Sequence, residues 1–197
     1  MTALAERKTE MLQPEVRRRR FSFAEFEQMS DLGLFADEHV ELLNTEVTVK
    51  GLQSPAHAYA VLTLDERLKL ALRTRAVVAV QLPCVLSAPP PDFVEPDIAL
   101  RVAPSSRYAT RNAIPEDTLL IIEVSERTLE RDRTAKLEAY ARNGIQEYWI
   151  LNLSENKLEV HREPDSKTYI SRRILKPGQS VSPLAFDDVQ IEWWASV

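Results

Sequence analysis

Glu123 is the residue whose position most demands a chemical explanation. It stands near the end of Leu119-Leu120-Ile121-Ile122-Glu123-Val124, a continuous apolar run of the kind that is covered on both faces in a sheet. A carboxylate there is costly unless it is paired or bound to a cation. Asp97, directly after Pro96, opens a second short strand that runs to Val102. If the two strands are antiparallel, the start of one lies beside the end of the other, and the two carboxylates meet at one sheet edge. Two close carboxylates repel and raise each other's pKa. A divalent cation removes that penalty, and oxygen donors favour Mg²⁺ or Mn²⁺. The competing reading is purely structural: Glu123 pairs with Arg127 or Arg133 from the next helix, and Asp97 caps a turn.

Other residues bear on the same edge. Lys136 and Tyr140 are four apart on the helix that follows Glu123, hence on one face. A lysine there would polarise a phosphate and stabilise the charge that develops on it. The alternatives are a solvated position for Lys136 and a core position for Tyr140. Asp132 suits the first turn of that helix through the helix dipole. His57 stands at the start of an earlier helix, as a structural hydrogen-bonder, a ligand or a base. His161 falls in a surface hairpin and carries no assignment. Arg67, Lys69, Arg73 and Arg75 are spaced for a solvated helix face that could also track a phosphate backbone.

The elements that must position these groups follow from local pattern. Ser22 with Glu25 three residues on starts a short helix over about residues 22–29. Residues 40–43 and 46–49 flank Asn44-Thr45 as a hairpin. Ser54-Pro55 opens a helix whose stripe Val61, Leu64, Leu68, Ala71 and Leu72 carries it to about residue 73. Strands are expected at 76–82, 97–102 and 119–124. Pro89-Pro90-Pro91 ends any regular element. Thr128 caps a helix that stops before Asn143-Gly144. A strand at 148–151, a hairpin at 157–162 and 168–174, and a terminal strand near 189–194 complete the order. The result is an α/β chain with a mixed central sheet and a helix on each face.

Composition narrows the class. The chain has 197 residues, 44% of them apolar and 28% charged, which suits one domain with a real core. Residues 1–20 read as a flexible N-terminal arm ending in Arg17-Arg18-Arg19-Arg20, and 21–197 as the domain. No apolar segment follows the basic run, so it is not a secretory signal, and no run has membrane-spanning length. The single cysteine, Cys84, excludes an intramolecular disulfide and thiolate zinc motifs and fits a reducing cytoplasm. Four glycines leave no phosphate-cradling loop. The formal charge of −5 argues against a simple electrostatic DNA binder, although acidic metal ligands lower it and bound cations restore it locally.

Val94-Glu95-Pro96-Asp97, Ile121-Ile122-Glu123-Val124-Ser125 and the stretch from Lys136 through Gly144 to Trp149 form an ordered set. With Glu41-Leu42-Leu43-Asn44-Thr45-Glu46 and Ser54-Pro55-Ala56-His57, this set resembles a large bacterial family called "putative restriction endonucleases", within the PD-(D/E)XK nuclease superfamily. The likeness extends over most of residues 21–195. It implies a restriction endonuclease-like core, helix–three strands–helix–strand, with added β-hairpins. It implies Asp97 and Glu123 as ligands of Mg²⁺ (or Mn²⁺), the backbone carbonyl of Val124 as a third, and Glu41 as a residue that binds metal through water or orients the attacking water. DNA is the implied substrate. The superfamily pattern has lysine two residues after the glutamate, where this chain has Ser125, and Lys136 is the substitute. Asp132 and His57 also match family positions. The alternative is a catalytically silent nucleic-acid- or protein-binding module on the same fold. A third reading is a homodimer, which base rates favour among oligomers, assembled through an aromatic surface at Trp193-Trp194.

Overall fold

The structure, a computed structural model, describes residues 18–193. The first helix, α1 (Phe23–Asp31), starts with a complete capping box. The Ser22 hydroxyl accepts from the Glu25 N–H at 3.2 Å, and the Ser22 N–H donates to the Glu25 carboxylate at 2.8 Å. Strands β1 (Val40–Leu43) and β2 (Glu46–Val49) form the expected hairpin. Asn44 and Thr45 both adopt positive φ (51° and 67°), the pair of left-handed residues a two-residue turn needs to match strand twist. Helix α2 (Pro55–Leu72) begins at Ser54, whose hydroxyl accepts from the His57 N–H at 3.1 Å. Its buried residues Ala60, Val61, Leu64, Leu68 and Leu72 keep the 3.6-residue period.

The central sheet has six strands in the order β10-β9-β8-β7-β6-β3: β3 (Ala76–Val80), β6 (Ile98–Val102), β7 (Thr118–Ser125), β8 (Glu147–Asn152), β9 (Lys157–Pro164) and β10 (Tyr169–Leu175). Within this sheet, among the described residues, only β7 and β8 pair in parallel. A parallel neighbour requires a crossover, and the helical segment after β7 supplies it. That segment is α3 (Leu129–Arg131), a π turn (Asp132–Lys136) and α4 (Leu137–Arg142). One face of the sheet, with Ile98, Leu100, Ile122 and Trp149, packs on α2. The other, with Ala99, Ile121, Tyr148 and Ile150, packs on Ala139, Tyr140 and Ala141. The mixed sheet with a helix on each face is therefore as the pattern predicts.

Several details differ. Strands β4 (Cys84–Leu86) and β5 (Asp92–Val94) flank the proline run and complete a second sheet, β2-β1-β5-β4. Three-residue strands are too short to show alternation, so the sequence gives no sign of them. Thr128 does not cap the backbone of α3. Its hydroxyl donates to Asp132 at 2.6 Å instead. The expected terminal strand shrinks to β12 (Ile191–Glu192), paired with β11 (Ser180–Val181). Trp193 is buried in the core beside these strands, which removes it from any assembly surface; Trp194 lies outside the described residues. His161 is not a surface residue either: it is buried on β9 among Tyr148, Tyr169 and Glu159. Of the basic arm, Arg17 lies outside the described residues, Arg19 pairs with Glu25, and Arg20 reaches Asn44 and Thr45. No helix among the described residues is long and apolar enough to cross a membrane.

Candidate active site

Strands β6 and β7 are antiparallel with Ile98 opposite Ile122, which brings Asp97 beside Glu123 as the sequence predicts. The Val124 N–H donates to Asp97 Oδ2 at 2.9 Å, locking the aspartate against the neighbouring strand. The first turn of α2 contributes His57, whose Nε2 lies 3.1 Å from the same oxygen. His57 Nδ1 is buried and has no hydrogen-bond partner among the described residues. On the other side, Lys136 Nζ donates to Glu123 Oε1 at 2.9 Å, and the Tyr140 hydroxyl donates to the same atom at 2.6 Å. Lys136 also stands 3.0 Å from Glu41 Oε1. Glu41 comes from β1, where the hairpin aims it into the cluster, and it further accepts from Arg131 at 3.0 Å and from the Glu95 N–H at 3.1 Å.

Every one of these acidic side chains is almost fully buried, as is Lys136. They line a cleft of about 620 Å³ together with residues 49–54, 126–128 and 131. The structural alternative for Glu123 fails: Arg133 pairs with Glu159 instead, and Glu123 takes Lys136 and Tyr140. Lys136 is not a solvated position, and Tyr140 is both core and site. Ser125, fully buried, donates to Asp132 at 2.6 Å. The position that the resemblance would give to a lysine thus serves to hold a second carboxylate.

Burial and charge set the protonation states. Burial pushes the Asp97 carboxyl up, but the His57 hydrogen bond and Lys50 outweigh it and hold the group down at about 2. Burial also opposes ionisation of Glu41, and Lys136, Lys50 and Arg131 together keep it below its ordinary value. Glu123 goes the other way. Its complete burial, reinforced by Asp97, Asp132 and Glu41, pushes it up to about 7 against the pull of Lys136. Burial disfavours the Lys136 ammonium, yet Glu123 and Glu41 hold its pKa above the ordinary lysine value. One ammonium is shared by two carboxylates, so we place any proton the pair gains on Glu123 rather than removing one from Lys136. Burial, then Glu123, keeps the Tyr140 hydroxyl protonated as a donor.

Two cations in the cleft have no counterpart in the sequence reading. Lys50, just past β2, lies 3.6 Å from Asp97 Oδ1 and donates to the Glu95 carbonyl at 2.7 Å. Arg131, in α3, bridges Glu41 and the Thr48 hydroxyl. Lone basic residues beside a turn carry no pattern; only their proximity to the acidic cluster reveals them. The basic residues on and after α2 are a different region, and they do not form one helix face, because α2 ends at Leu72 and leaves Arg73 and Arg75 in the turn beyond it. Lys69 pairs with Asp65, Arg75 with Asp188, and Arg67 donates to the Glu192 carbonyl. None of these lines the cleft.

Among the described residues, no group of three or more His, Cys, Asp or Glu side chains is arranged to hold a metal ion. The oxygen donors at this sheet edge are the Asp97 and Glu123 carboxylates, and Val124, next in the chain to Glu123, meets Asp97 through its N–H. A small hard cation that keeps several waters needs only one or two carboxylates, so this donor set fits it.

Comparison with known proteins decides the family. The profile of the family Uma2, described as "Putative restriction endonuclease", matches residues 23–194. The chain belongs to the Uma2 family. The Uma2 match covers every element that contributes to the cleft. In fold, this Uma2 chain is similar to the crystal structure of "a putative nuclease belonging to DUF820 from Anabaena variabilis ATCC 29413". The two share 15% identity with a TM-score of 0.64, over 87% of this chain and 94% of the other. No curated protein matches.

Proposed function

We propose that this Uma2 protein is a metal-dependent nuclease that hydrolyses DNA phosphodiester bonds, with Asp97, Glu123 and the Val124 carbonyl holding Mg²⁺ or Mn²⁺. One observation carries the reading: Glu41, Asp97, Glu123 and Lys136, from four separate elements or their ends, converge in one cleft, with Lys136 bonded to both glutamates and Asp97 held by the Val124 N–H beside Glu123. An extended residue turns its N–H and C=O to the same side, so the Val124 carbonyl faces the edge where its N–H meets Asp97. When bound, the cation would lower the pKa of a water and neutralise charge on the phosphate. The chain's own groups do the rest. His57 and the Val124 N–H fix the orientation of Asp97, and Tyr140 fixes Glu123. Glu41 orients water entering from the cleft, and Lys136 brings the positive charge that Ser125 cannot.

The second reading, a binding module without catalysis, draws on the same cleft. Ser125 is committed to Asp132, and Lys136 already neutralises the carboxylates without a metal. A paired measurement separates the two. Mg²⁺ or Mn²⁺ at roughly 100 times Kd should stabilise the protein by about 2.7 kcal/mol and support cutting of a DNA oligonucleotide. Glu123→Gln should lose both responses while remaining folded, since an amide still accepts from Tyr140. A metal-induced rise in Tm that survives in Glu123→Gln would place the ion elsewhere. Metal binding without any cutting would favour the module.

A further inference from the structure

The two lysines in the cleft are not equivalent. Lys136 has a side chain 5% exposed, and its ammonium is committed to two carboxylates, Glu123 at 2.9 Å and Glu41 at 3.0 Å. Turning it toward a substrate would leave two buried carboxylates without their shared cation, the costliest arrangement for a buried charge cluster. Lys50 differs on each point. Its side chain is 21% exposed, its one hydrogen bond goes to a neutral carbonyl, and its approach to Asp97 is a loose 3.6 Å. An ammonium has three donors, so Lys50 keeps capacity to spare. Its backbone is nonetheless pinned, because the Lys50 N–H donates to the His39 carbonyl at 2.8 Å. The result is an anchored residue with a partly exposed, cleft-facing charge beside Asp97.

We propose that Lys50 is the residue that contacts the phosphate of a bound nucleic-acid strand, and that Lys136 is a positioning residue that holds Glu41 and Glu123 in place. This inference rests on the nuclease reading for its substrate, and it divides between two residues the task that the superfamily pattern gives to the lysine absent at Ser125. Lys50 enters the cleft from the β1–β2 hairpin, a different element from the helix that carries Lys136. A phosphate seated beside Asp97 would therefore meet Lys50 at the open side of the cleft, while Lys136 stays beneath the carboxylates.

The test is binding of a fluorescently labelled DNA oligonucleotide to the full chain in Ca²⁺ buffer, read by anisotropy across a salt series. Lys50→Met should weaken binding about tenfold or more, as loss of a charged hydrogen bond does. It should also lower the slope of log K against log salt by about one phosphate contact, with Tm near that of the wild type. Lys50→Arg should restore both affinity and slope. Lys136→Met should leave the slope unchanged and lower Tm instead, the mark of a positioning role. An unchanged slope in Lys50→Met, or a reduced slope in Lys136→Met, overturns the proposal, and so does a wild-type protein that binds no DNA. DNA binding that follows this pattern without cleavage would sink the nuclease reading and leave the role of Lys50 standing.

Discussion

Lys136 neutralises two buried carboxylates at once, within reach of both Glu123 and Glu41. Removing one partner of a buried ion pair costs about 3–5 kcal/mol, because the other charges stay behind without water. Lys136→Met should therefore lose about that much stability by chemical denaturation without metal. It should also show a larger metal-induced rise in Tm than the wild type, since Mg²⁺ or Mn²⁺ would now relieve the whole repulsion. A variant as stable as the wild type would mean that Glu123 and Glu41 are neutral and that Lys136 compensates nothing. At this scale the sequence was informative where a residue broke its surroundings. Glu123 betrayed itself as a carboxylate in an apolar run, and Asp97 followed from strand direction. Lys50 and Arg131 broke no local pattern, so only the fold could bring them to the site.

The elements matter through their ends. The cap at Ser54 sets where α2 begins and so aims His57 at Asp97. The π turn at Asp132–Lys136 widens the helix where both named residues face the cleft. Such turns recur at functional sites, yet no sequence period announces them. Strands β6 and β7 were legible because each carries an apolar run, at 98–100 and 119–122; β4 and β5 were not, because three residues show no period. The entry to β7 also offers an acid-sensitive anchor. Asp117, at the end of the 3₁₀ turn before β7, accepts from Arg111 through both oxygens and from the Ile114 N–H. The Arg111 hydrogen bonds, acting against burial, hold its carboxyl at about 2 against an ordinary 3.8. A carboxyl with a depressed folded pKa contributes stability that is full above its unfolded value and lost as pH falls through the folded one. Asp117→Asn should therefore lower Tm at neutral pH, by about 2–4 °C per kcal/mol lost. The gap from wild type should close as pH drops from about 4 toward 2. Melting curves of both proteins across that range check it, and a gap that stays constant into acid would remove Asp117 as its source.

The whole molecule sets its acidic balance of −5 against a cleft that gathers Lys50, Arg131 and Lys136 among its carboxylates. The overall charge was plain in the sequence, but its sorting was not, because clustering in space depends on which distant segments the two sheets bring together. Of Glu41, Asp97, Glu123 and Lys136, the first three lie on or beside strands whose pairing was readable, which is why the cluster formed as expected around Asp97 and Glu123. A net negative charge also means that DNA would gain little from general attraction, so the proposed binding would have to draw on the cleft. The most direct test of the central claim is conversion of supercoiled plasmid, with Mg²⁺, with Mn²⁺ and with chelator, by the wild type and by Asp97→Asn. The asparagine keeps an acceptor for the Val124 N–H while removing the charge. The account predicts nicked or linear plasmid from the wild type only when a divalent metal is present, and a loss of about 10²-fold or more in rate for the variant. Intact plasmid with both metals, or equal cutting by wild type and Asp97→Asn, would contradict it.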